Sequence, residues 1–327
     1  MQTKQLTKAL MQKNAVILIV GPTGSGKSDV ALRLARKING EIVSCDSMQI
    51  YHGMNIGTAK PTAKELRLVK HHLVSIFSPR TEYSVYRHLT LALKVIKQII
   101  RKKCIPIVVG GSGLYLKSLL DGLRKQGGKQ KEIRGLLEQA VKSEGVGVLH
   151  NRLVLLNPKR AAQIHPHDAR RIVRALEIEE SVANGKCEAK DGFEAGLYAL
   201  GYNPQTFGLM WERSVLYERI EKRVDQMLED GWLDEVKQLK DSKLSRTASQ
   251  AIGYCELLEY LREKKTSLET VAAEIKKRTR HLVKKQMTWF RNQDARIQWI
   301  EVSGKNFVSD CLNQIMCQLV SSSVVGV

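Results

Sequence analysis

The sequence predicts an α/β fold in which a parallel sheet forms the core and helices flank it. Three observations support this fold class. The apolar run Ala15–Val20 leads directly into a glycine-rich turn and a helix. Strand and helix patterns then alternate through the first third of the chain. A second apolar run at 105–109 is typical of a strand that is covered on both faces. This alternation predicts parallel strands joined by helical crossovers.

The turn after the first strand reads GPTGSGKS (residues 21–28) and fits the phosphate-loop pattern G-x-x-x-x-G-K-[ST]. Its three glycines let backbone N–H groups approach phosphate oxygens at a helix N-terminus. Lys27 then supplies a charge for the terminal phosphates, and the Ser28 hydroxyl is a Mg²⁺ ligand. The alternative is an ordinary glycine-rich turn. We therefore expect a core like that of P-loop NTPases and a loop that binds phosphate or diphosphate.

Periodicity and turn residues predict the other elements of the first third. In chain order they are a helix over 28–38, a strand over 41–44, a short strand over 72–76, a helix over 84–101 and a strand over 105–109. In such sheets, ligands bind at the carboxyl ends of the strands.

Strands become scarce after residue 123. The later elements are a polar linker over 124–131, helices over 132–143 and 168–184, a loop over 185–196, a short strand over 207–210 and helices from 213 to 291. This layout predicts two domains. Residues 1–123 and 197–327 form the core with C-terminal helices, and residues 124–196 form a mainly helical insertion.

The composition points to a large anionic partner. The formal net charge is +20 and the pI is about 9.7, which favours nucleic acid over a membrane because no long apolar segment is present. The alternative is a basic protein that charge keeps soluble.

The six cysteines contain no C-x-x-C pair, so neither a zinc site nor a disulfide framework is indicated. We expect a cytoplasmic protein with no membrane association.

Asp46 directly follows the predicted strand at 41–44. We expect this strand to lie beside the phosphate-loop strand, so that the Asp46 carboxylate faces the bound phosphates. The carboxylate then acts as a general base or holds Mg²⁺ through water. The alternative is a turn or helix-capping aspartate.

The strand at 105–109 ends in GGSG (residues 110–113) instead of the aspartate that typically holds magnesium in P-loop NTPases. The sequence also has no N-K-x-D guanine signature, so a GTPase or a motor ATPase is disfavoured. The glycine pair lets backbone approach a ligand closely, and Ser112 adds a hydroxyl there.

Two groups of basic residues also point to an anionic ligand or partner. Arg219 and Arg223 lie four residues apart on one helix, which suits either an anion clamp or a solvated basic face. Residues 276–296 carry eight basic side chains against one acid, with Trp289 and Phe290 among them. Basic and aromatic residues mixed in this way are typical of single-stranded RNA recognition.

The segment His165-Pro166-His167-Asp168 has too few ligands for a metal site and predicts a helix start instead.

These segments together resemble the tRNA dimethylallyltransferase (IPP transferase) family. The matching segments are GPTGSGKS (21–28), DSMQIY (46–51), IGTAKPT (56–62), HHL (71–73), GGSGLY (110–115), HPHDARRIVRALE (165–177), AIGY (251–254) and KKQMTWFR (284–291). They run in order over the chain from residue 15 to about residue 300. Their combination is far more specific than the phosphate loop alone.

The resemblance implies transfer of the prenyl group of dimethylallyl diphosphate to N6 of adenosine 37 in tRNA, with Mg²⁺ as cofactor. It implies that Asp46 takes the N6 proton while Thr23 and Lys27 neutralise the leaving group. The implied diphosphate contacts are Gly21, Pro22, Thr23, Gly24, Ser25, Gly26, Lys27 and Ser28, with Arg219 and Arg223 as candidates.

The resemblance also implies that the anticodon stem-loop of tRNA is bound and that the target adenine leaves its stack. The implied tRNA contacts are Asp46, Ser47, Met48, Gln49, Ser112, Arg134, Arg170, Arg171, Ile172, Val173, Arg174, Gln250, Ala251, Ile252, Gly253, Tyr254, Cys255, Lys284, Lys285, Gln286, Met287, Thr288, Trp289, Phe290 and Arg291. We expect a monomer.

Three positions depart from the family pattern. Gly24 stands where alanine is usual, Ser112 where threonine is frequent, and Leu282-Val283-Lys284-Lys285-Gln286 where Y-A-K-R-Q is usual. Lys285 keeps the charge of arginine but loses its bidentate geometry.

Three other functions stay open at this point. They are a P-loop small-molecule kinase, a prenyltransferase of free adenine nucleotides and a non-catalytic RNA-binding protein. ATP turnover without RNA distinguishes the first of these.

Overall fold

The computed structural model of the protein describes residues 2–124, 130–184, 193–263, 266–293 and 296–324. The chain forms two compact units. The larger comprises Met1–Gly122 and Ala195–Val327, and the smaller comprises Leu123–Glu194. Most of the predicted linker at 124–131 and of the predicted loop at 185–196 lies outside the described residues.

The larger unit is built on a parallel sheet. The strands of the described residues are β1 (Ala15–Val20), β2 (Gly40–Ser44), β3 (His71–His72), β4 (Ile105–Gly110), β5 (Leu123–Arg124), β6 (Phe193–Glu194), β7 (Asn203–Trp211) and β8 (Ile297–Val302). Within these residues, six strands form one sheet in the order β3-β2-β4-β1-β7-β8, and every neighbouring pair is parallel. The predicted α/β class is therefore confirmed. Strands β5 and β6 pair antiparallel in the smaller unit.

Helices cover the sheet and form most of the rest of the chain. They are α1 (Gln2–Gln12), α2 (Lys27–Ile38), α3 (Ala63–Leu68), α4 (Val85–Arg101), α5 (Gly113–Asp121), α6 (Lys131–Ser143), α7 (Val146–Leu156), α8 (Pro158–Ala161), α9 (Ala169–Ala183), α10 (Arg213–Glu229), α11 (Trp232–Leu239), α12 (Tyr254–Glu263), α13 (Leu268–Gln293) and α14 (Phe307–Val324). A 3-10 turn spans Ala248–Gln250.

The strand order corrects one expectation. Strand β2 does not lie beside the phosphate-loop strand β1, because β4 is inserted between them and pairs with both. The strand predicted at 72–76 is also wrong beyond its start. Leu73 and Ser75 have φ angles of 60° and 49°, and a left-handed backbone cannot continue a pleated strand.

Five elements among the described residues of the larger unit lie outside the sequence prediction, namely α1, α3, α5, β8 and α14. Helix α1 precedes the first predicted strand and buries Leu6 and Leu10. Strand β8 pairs along β7, and α14 then packs its apolar face on the core. The predicted strand at 207–210 is confirmed as part of the longer β7.

The smaller unit contains the helices α6 to α9 around its own apolar cluster. Asp168 caps α9 by accepting a hydrogen bond from the Arg171 N–H, which confirms the helix start predicted there. Glu177 on α9 is fully buried and forms ion pairs with Arg134 and Arg174.

A buried histidine lies on α4, the helix that covers β2 and β4. His88 is 0 % exposed; its Nδ1 lies 2.9 Å from the hydroxyl of Tyr83, and its ring centroid is 4.7 Å from that of Tyr115. Burial lowers the pKa of His88 to about 4. The folded protein therefore requires this imidazole to be neutral.

We expect the free energy of unfolding to fall as the pH is lowered from 6.5 to 4. The folded-state pKa of His88 lies below the ordinary 6.5, so only the unfolded chain binds the proton in this window. The contribution is fully present above pH 6.5, and about 3 kcal/mol of it is lost by pH 4. Urea unfolding at a series of pH values measures this loss. A His88→Gln variant should show a shallower slope, and an unchanged slope would assign the loss to other groups.

Candidate active site

A cavity of about 870 Å³ lies in the larger unit, and residues at the carboxyl ends of β1, β2 and β4 contribute to its wall. The phosphate loop forms one part of this wall. Asp46, Ser47, Met48 and Gln49 after β2 form another, and Gly110, Gly111 and Ser112 at the end of β4 form a third. The predicted phosphate loop, carboxylate and glycine-rich turn are thus brought together.

The phosphate loop is shaped by backbone that only glycine adopts readily. Gly26 caps α2 with a φ angle of 82°, and a side chain at this position would overlap the ring of Phe307. The indole N–H of Trp211 donates to the Ser25 carbonyl at 3.0 Å. The loop is therefore fixed from the β7 side before any ligand binds.

Lys27 lies at the cavity wall with its ammonium group folded onto the loop. Its Nζ donates to the Pro22 carbonyl at 2.6 Å and to Ser25 Oγ at 3.4 Å. Burial, together with the nearby charge of Arg223, lowers the pKa of Lys27 to about 7, although Asp46 acts in the opposite direction. The surroundings therefore disfavour the charged ammonium of Lys27 on its own, and an anion bound beside it would stabilise that charge.

The two arginines of α10 have different environments. Arg219 donates from Nε to the Gly24 carbonyl at 3.2 Å, and its guanidinium stacks 4.4 Å from the centroid of the Trp211 ring. Arg223 also lines the cavity, and it forms no hydrogen bond or ion pair with any side chain that the structure describes. Burial lowers the pKa of Arg223, whereas Asp29 and Asp46 raise it. Arg219 thus supports the loop, and Arg223 has its donors available for a ligand.

Asp46 combines a turn contact with a place on the cavity wall. Its Oδ1 accepts hydrogen bonds from the Met48 N–H at 2.8 Å and, more weakly, from the Gln49 N–H at 3.4 Å. Within the described residues, Oδ2 has no such partner. The turn interpretation and the reactive-carboxylate interpretation are therefore compatible, since one oxygen fixes the side chain and the other stays available.

Helix α13 joins the phosphate loop to the glycine-rich turn. Gln286 Oε1 accepts from the Thr23 N–H at 3.0 Å, and its Nε2 donates to the Gly111 carbonyl at 3.0 Å. The indole of Trp289 packs on Gly113, where a larger residue would overlap it. This bridging role of Gln286 has no signature in the sequence, in which the residue was grouped with the RNA contacts.

The basic side chains of α13 fall into two groups. Toward its N-terminus, Lys276, Lys277, Arg278 and Arg280 pair with carboxylates. Lys284, Lys285 and Arg291 are exposed and pair with no carboxylate among the residues that the structure describes. The second group therefore keeps its charges available for a polyanion.

The other residues predicted to contact RNA differ in exposure. Gln250, Ala251 and Ile252 line the cavity. In the smaller unit, Arg170 and Arg171 are exposed, and Arg134 and Arg174 are partly exposed. Four of the predicted positions have side chains packed in the interior: Ile172, Val173, Tyr254 and Phe290. Any RNA contact at these four positions would run through the backbone.

The expectations on membrane association and on disulfides can be compared with the described part of the chain. None of its helices is both long and apolar enough to span a bilayer. The cysteines that it includes form no disulfide with one another.

The fold and the cavity define a P-loop α/β protein that places a carboxylate in the same cavity as a phosphate-binding loop. The sequence matches the profile of the IPP transferase family over residues 49–293 and that of isopentenyl transferase over residues 14–75. The chain belongs to the IPP transferase family.

Individual relatives agree with this assignment. A tRNA dimethylallyltransferase of Halalkalibacterium halodurans is 41 % identical over 297 residues, which cover 90 % of this chain and 93 % of the relative. The crystal structure of the full-length tRNA isopentenylpyrophosphate transferase of Bacillus halodurans superposes with a TM-score of 0.68 at 38 % identity, covering 96 % of this chain and 99 % of the other. A eukaryotic dimethylallyltransferase acting on tRNA superposes with a TM-score of 0.73 at 28 % identity, covering 94 % and 80 %.

Proposed function

We propose that this protein transfers the dimethylallyl group of dimethylallyl diphosphate to N6 of adenosine 37 in tRNA and releases diphosphate. The observation that carries the proposal is that Asp46 and the phosphate loop line one cavity while being attached to different strands. The names of the relatives support the same reaction.

The reaction is a displacement at carbon. The N6 lone pair attacks C1 of the dimethylallyl group, the C1–O bond breaks, and its electron pair leaves with the diphosphate. The N6 proton passes to the Asp46 carboxylate, which acts as general base. The backbone N–H groups of the phosphate loop, Thr23, Lys27 and Arg223 stabilise the negative charge that grows on the diphosphate.

The donor set at the cavity fits Mg²⁺. The described residues contain no cluster of three or more His, Cys, Asp or Glu side chains that could hold a metal by themselves. Mg²⁺ is commonly held by one or two protein oxygens together with substrate phosphates and water. Ser28 would hold the ion, and the bound ion would neutralise part of the charge of the diphosphate.

The unpaired cations of α13 are proposed to bind the phosphates of the anticodon stem-loop, together with Arg134, Arg170, Arg171 and Arg174 of the smaller unit. The target adenine must be unstacked to reach a base in a cavity. We propose that the protein acts as a monomer. We place the reaction in the cytoplasm.

The double variant Lys284→Ala with Arg291→Ala should weaken tRNA binding and flatten its salt dependence. Each lost phosphate contact removes roughly 0.7–0.9 from the slope of log affinity against log salt, so the slope should fall by about 1.4–1.8. Filter binding over a range of salt concentrations measures both quantities. Donor affinity should change little, because neither residue lines the cavity.

The double variant Lys276→Ala with Lys277→Ala is the matched control. It removes the same net charge from the same helix, but both side chains are already paired with carboxylates. An equal loss in both double variants would mean that net charge alone governs affinity, and no loss in either would assign RNA binding to the smaller unit.

Incubation of the protein with unmodified tRNA, dimethylallyl diphosphate and Mg²⁺ tests the proposal directly. Mass spectrometry of the digested nucleosides should show one prenyl unit added to adenosine. Free AMP in place of tRNA tests for a prenyltransferase of nucleotides, and ATP turnover without RNA tests for a kinase. Unmodified tRNA beside intact donor would contradict the proposal.

A further inference from the structure

Glu235 is a buried carboxylate whose hydrogen bonds all go to other parts of the larger unit. It lies on α11 and is 9 % exposed. Its Oε2 accepts from the Asn55 N–H at 2.6 Å and from the Ile56 N–H at 3.0 Å, while Oε1 accepts from the Tyr254 hydroxyl at 2.6 Å. Charge-assisted bonds of this kind are stronger than neutral ones. The start of the 55–60 segment is therefore fixed to α11.

The 55–60 segment in turn fixes the residues that follow β2. The carbonyls of Thr58 and Ala59 accept from Gln49 Nε2 at 3.2 and 3.1 Å. Gln49 Oε1 accepts from Ser44 Oγ at 2.9 Å, so the amide of Gln49 is oriented from both ends. The N–H of Gln49 also belongs to the turn that contacts Asp46 Oδ1.

Lys60 makes a second connection between the same segments. Its Nζ donates to the Tyr51 carbonyl and, at 2.8 Å, to Ser75 Oγ. It also donates to Asn55 Oδ1 at 3.0 Å, beside the N–H that Glu235 accepts. The 55–60 segment is thus connected to Glu235 at one end and to the 49–51 segment at the other.

Trp232, one turn before Glu235 on α11, packs the same segment against a second one. Its indole lies on the α-carbons of Gly57 and Gly253, and a side chain at either position would overlap the ring. The ring of Tyr254 meets the indole edge-on at a centroid distance of 5.7 Å. Helix α11 therefore holds two segments of the cavity wall, and Trp232 lines the cavity itself while Glu235 does not.

We propose that Glu235 is a positioning residue for the transfer reaction. By holding the 55–60 segment it orients Gln49 and the turn that presents Asp46. Because its carboxylate is buried away from the cavity, it acts through these groups and not on the substrate. This inference rests on the proposed function, in which Asp46 is the base. A misplacement of about 1 Å in a reacting group can cost about 10²-fold in rate, so a carboxylate outside the cavity can still affect the chemical step.

The test compares Glu235→Ala, Glu235→Gln and Asp234→Asn. The glutamine carbonyl can still accept hydrogen bonds from the backbone N–H groups, and its amide can donate one to the Tyr254 oxygen. Alanine removes every hydrogen bond of the Glu235 side chain. Asp234 is the matched control, because it is the neighbouring acid on the same helix and its side chain is 74 % exposed. The measurements are the single-turnover rate constant, donor and tRNA affinities, the melting temperature and amide hydrogen exchange.

For Glu235→Ala we expect a single-turnover rate constant lower by roughly 10- to 10²-fold with donor affinity nearly unchanged. Glu235→Gln should recover most of the rate, and Asp234→Asn should match the wild type. Hydrogen exchange in the alanine variant should be faster at Asn55 and Ile56 and also at Met48 and Gln49. Faster exchange at 48–49 is the readout that separates positioning of the Asp46 turn from a purely local loss of structure.

Three results would overturn the inference. The first is an equal loss of the single-turnover rate in Glu235→Gln and Glu235→Ala, which would indicate direct chemistry by Glu235. The second is a wild-type rate in the alanine variant. The third is unchanged hydrogen exchange at residues 48–49 together with faster exchange at residues 55–56. If the alanine variant does not fold, Tyr254→Phe replaces it, with the same exchange pattern and a smaller loss of rate expected. If the wild type itself transfers no prenyl group, the proposed function fails, and exchange at 48–49 still decides whether Glu235 orders this turn.

Discussion

Replacing Asp46 with asparagine is expected to slow the chemical step by roughly 10²–10⁴-fold while donor and tRNA affinities stay nearly unchanged. The carboxamide has almost the same shape as the carboxylate but cannot take the proton from N6. Its oxygen can still accept the Met48 N–H, which now lies 2.8 Å from Asp46 Oδ1, so the turn should persist. Single-turnover kinetics with saturating donor measure the effect.

Two controls make the Asp46→Asn result interpretable. The melting temperature should match that of the wild type, because the contact that fixes the turn is retained. Donor affinity should also match, since Asp46 belongs to a different strand end from the phosphate loop. A nearly normal single-turnover rate would show that Asp46 acts only as a turn residue and that another group takes the proton.

Lys27→Ala is expected to lower kcat/KM for the donor by roughly 10²–10³-fold, the usual cost of removing one group that stabilises a developing oxyanion. The backbone N–H groups of the loop remain, so some donor binding should persist. The affinity for tRNA should change little. Steady-state kinetics with varied donor and filter binding of tRNA measure the two effects separately.

Lys37→Ala provides the comparison for this variant. Lys37 lies on the same helix as Lys27 but in its last turn, where it is exposed and does not line the cavity. It should leave both donor use and tRNA binding unchanged. If Lys27→Ala weakened tRNA binding as much as donor use, the phosphate loop would not be a site for the diphosphate alone.

The sequence predicts the site best where its signal is local. The phosphate loop, Asp46 and the glycine-rich turn each follow a strand that an apolar run reveals, and the rule that ligands bind at the carboxyl ends of parallel strands brings them together. The four-residue spacing of Arg219 and Arg223 made both of them candidates for diphosphate contacts and did not distinguish their roles. Only the packing of Trp211 and the Gly24 carbonyl on one of them separates their roles.

Glu235 shows where the sequence carries no signal. It stands beside Asp234 in an ordinary amphipathic helix, and spacing alone does not distinguish the two acids. Their roles differ because the backbone N–H groups of residues 55 and 56, about 180 residues earlier in the chain, meet one carboxylate and not the other. Long-range contacts of this kind are set by tertiary packing, which periodicity does not encode.

Strand β8 and the order of the strands in the sheet also depend on long-range pairing, which the sequence pattern does not show. The strand has only six residues and two of them are exposed, so its apolar signal is weak beside that of β1 or β4. It is stabilised by pairing with β7, which lies far away in the sequence. The insertion of β4 between β1 and β2 likewise depends on which edges pair, and apolar runs identify strands without ordering them.

The place of β4 also sets a length scale for the reaction. Two interstrand spacings, about 10 Å, separate β1 from β2 and therefore the anchoring points of the phosphate loop and of Asp46. A displacement at carbon needs its entering and departing atoms on opposite sides of that carbon. Backbone pairing of β1 and β2 with β4 fixes the distance between the two anchoring points. In the proposed reaction, the loop that binds the donor diphosphate and the carboxylate that takes the N6 proton are therefore anchored on opposite flanks of β4.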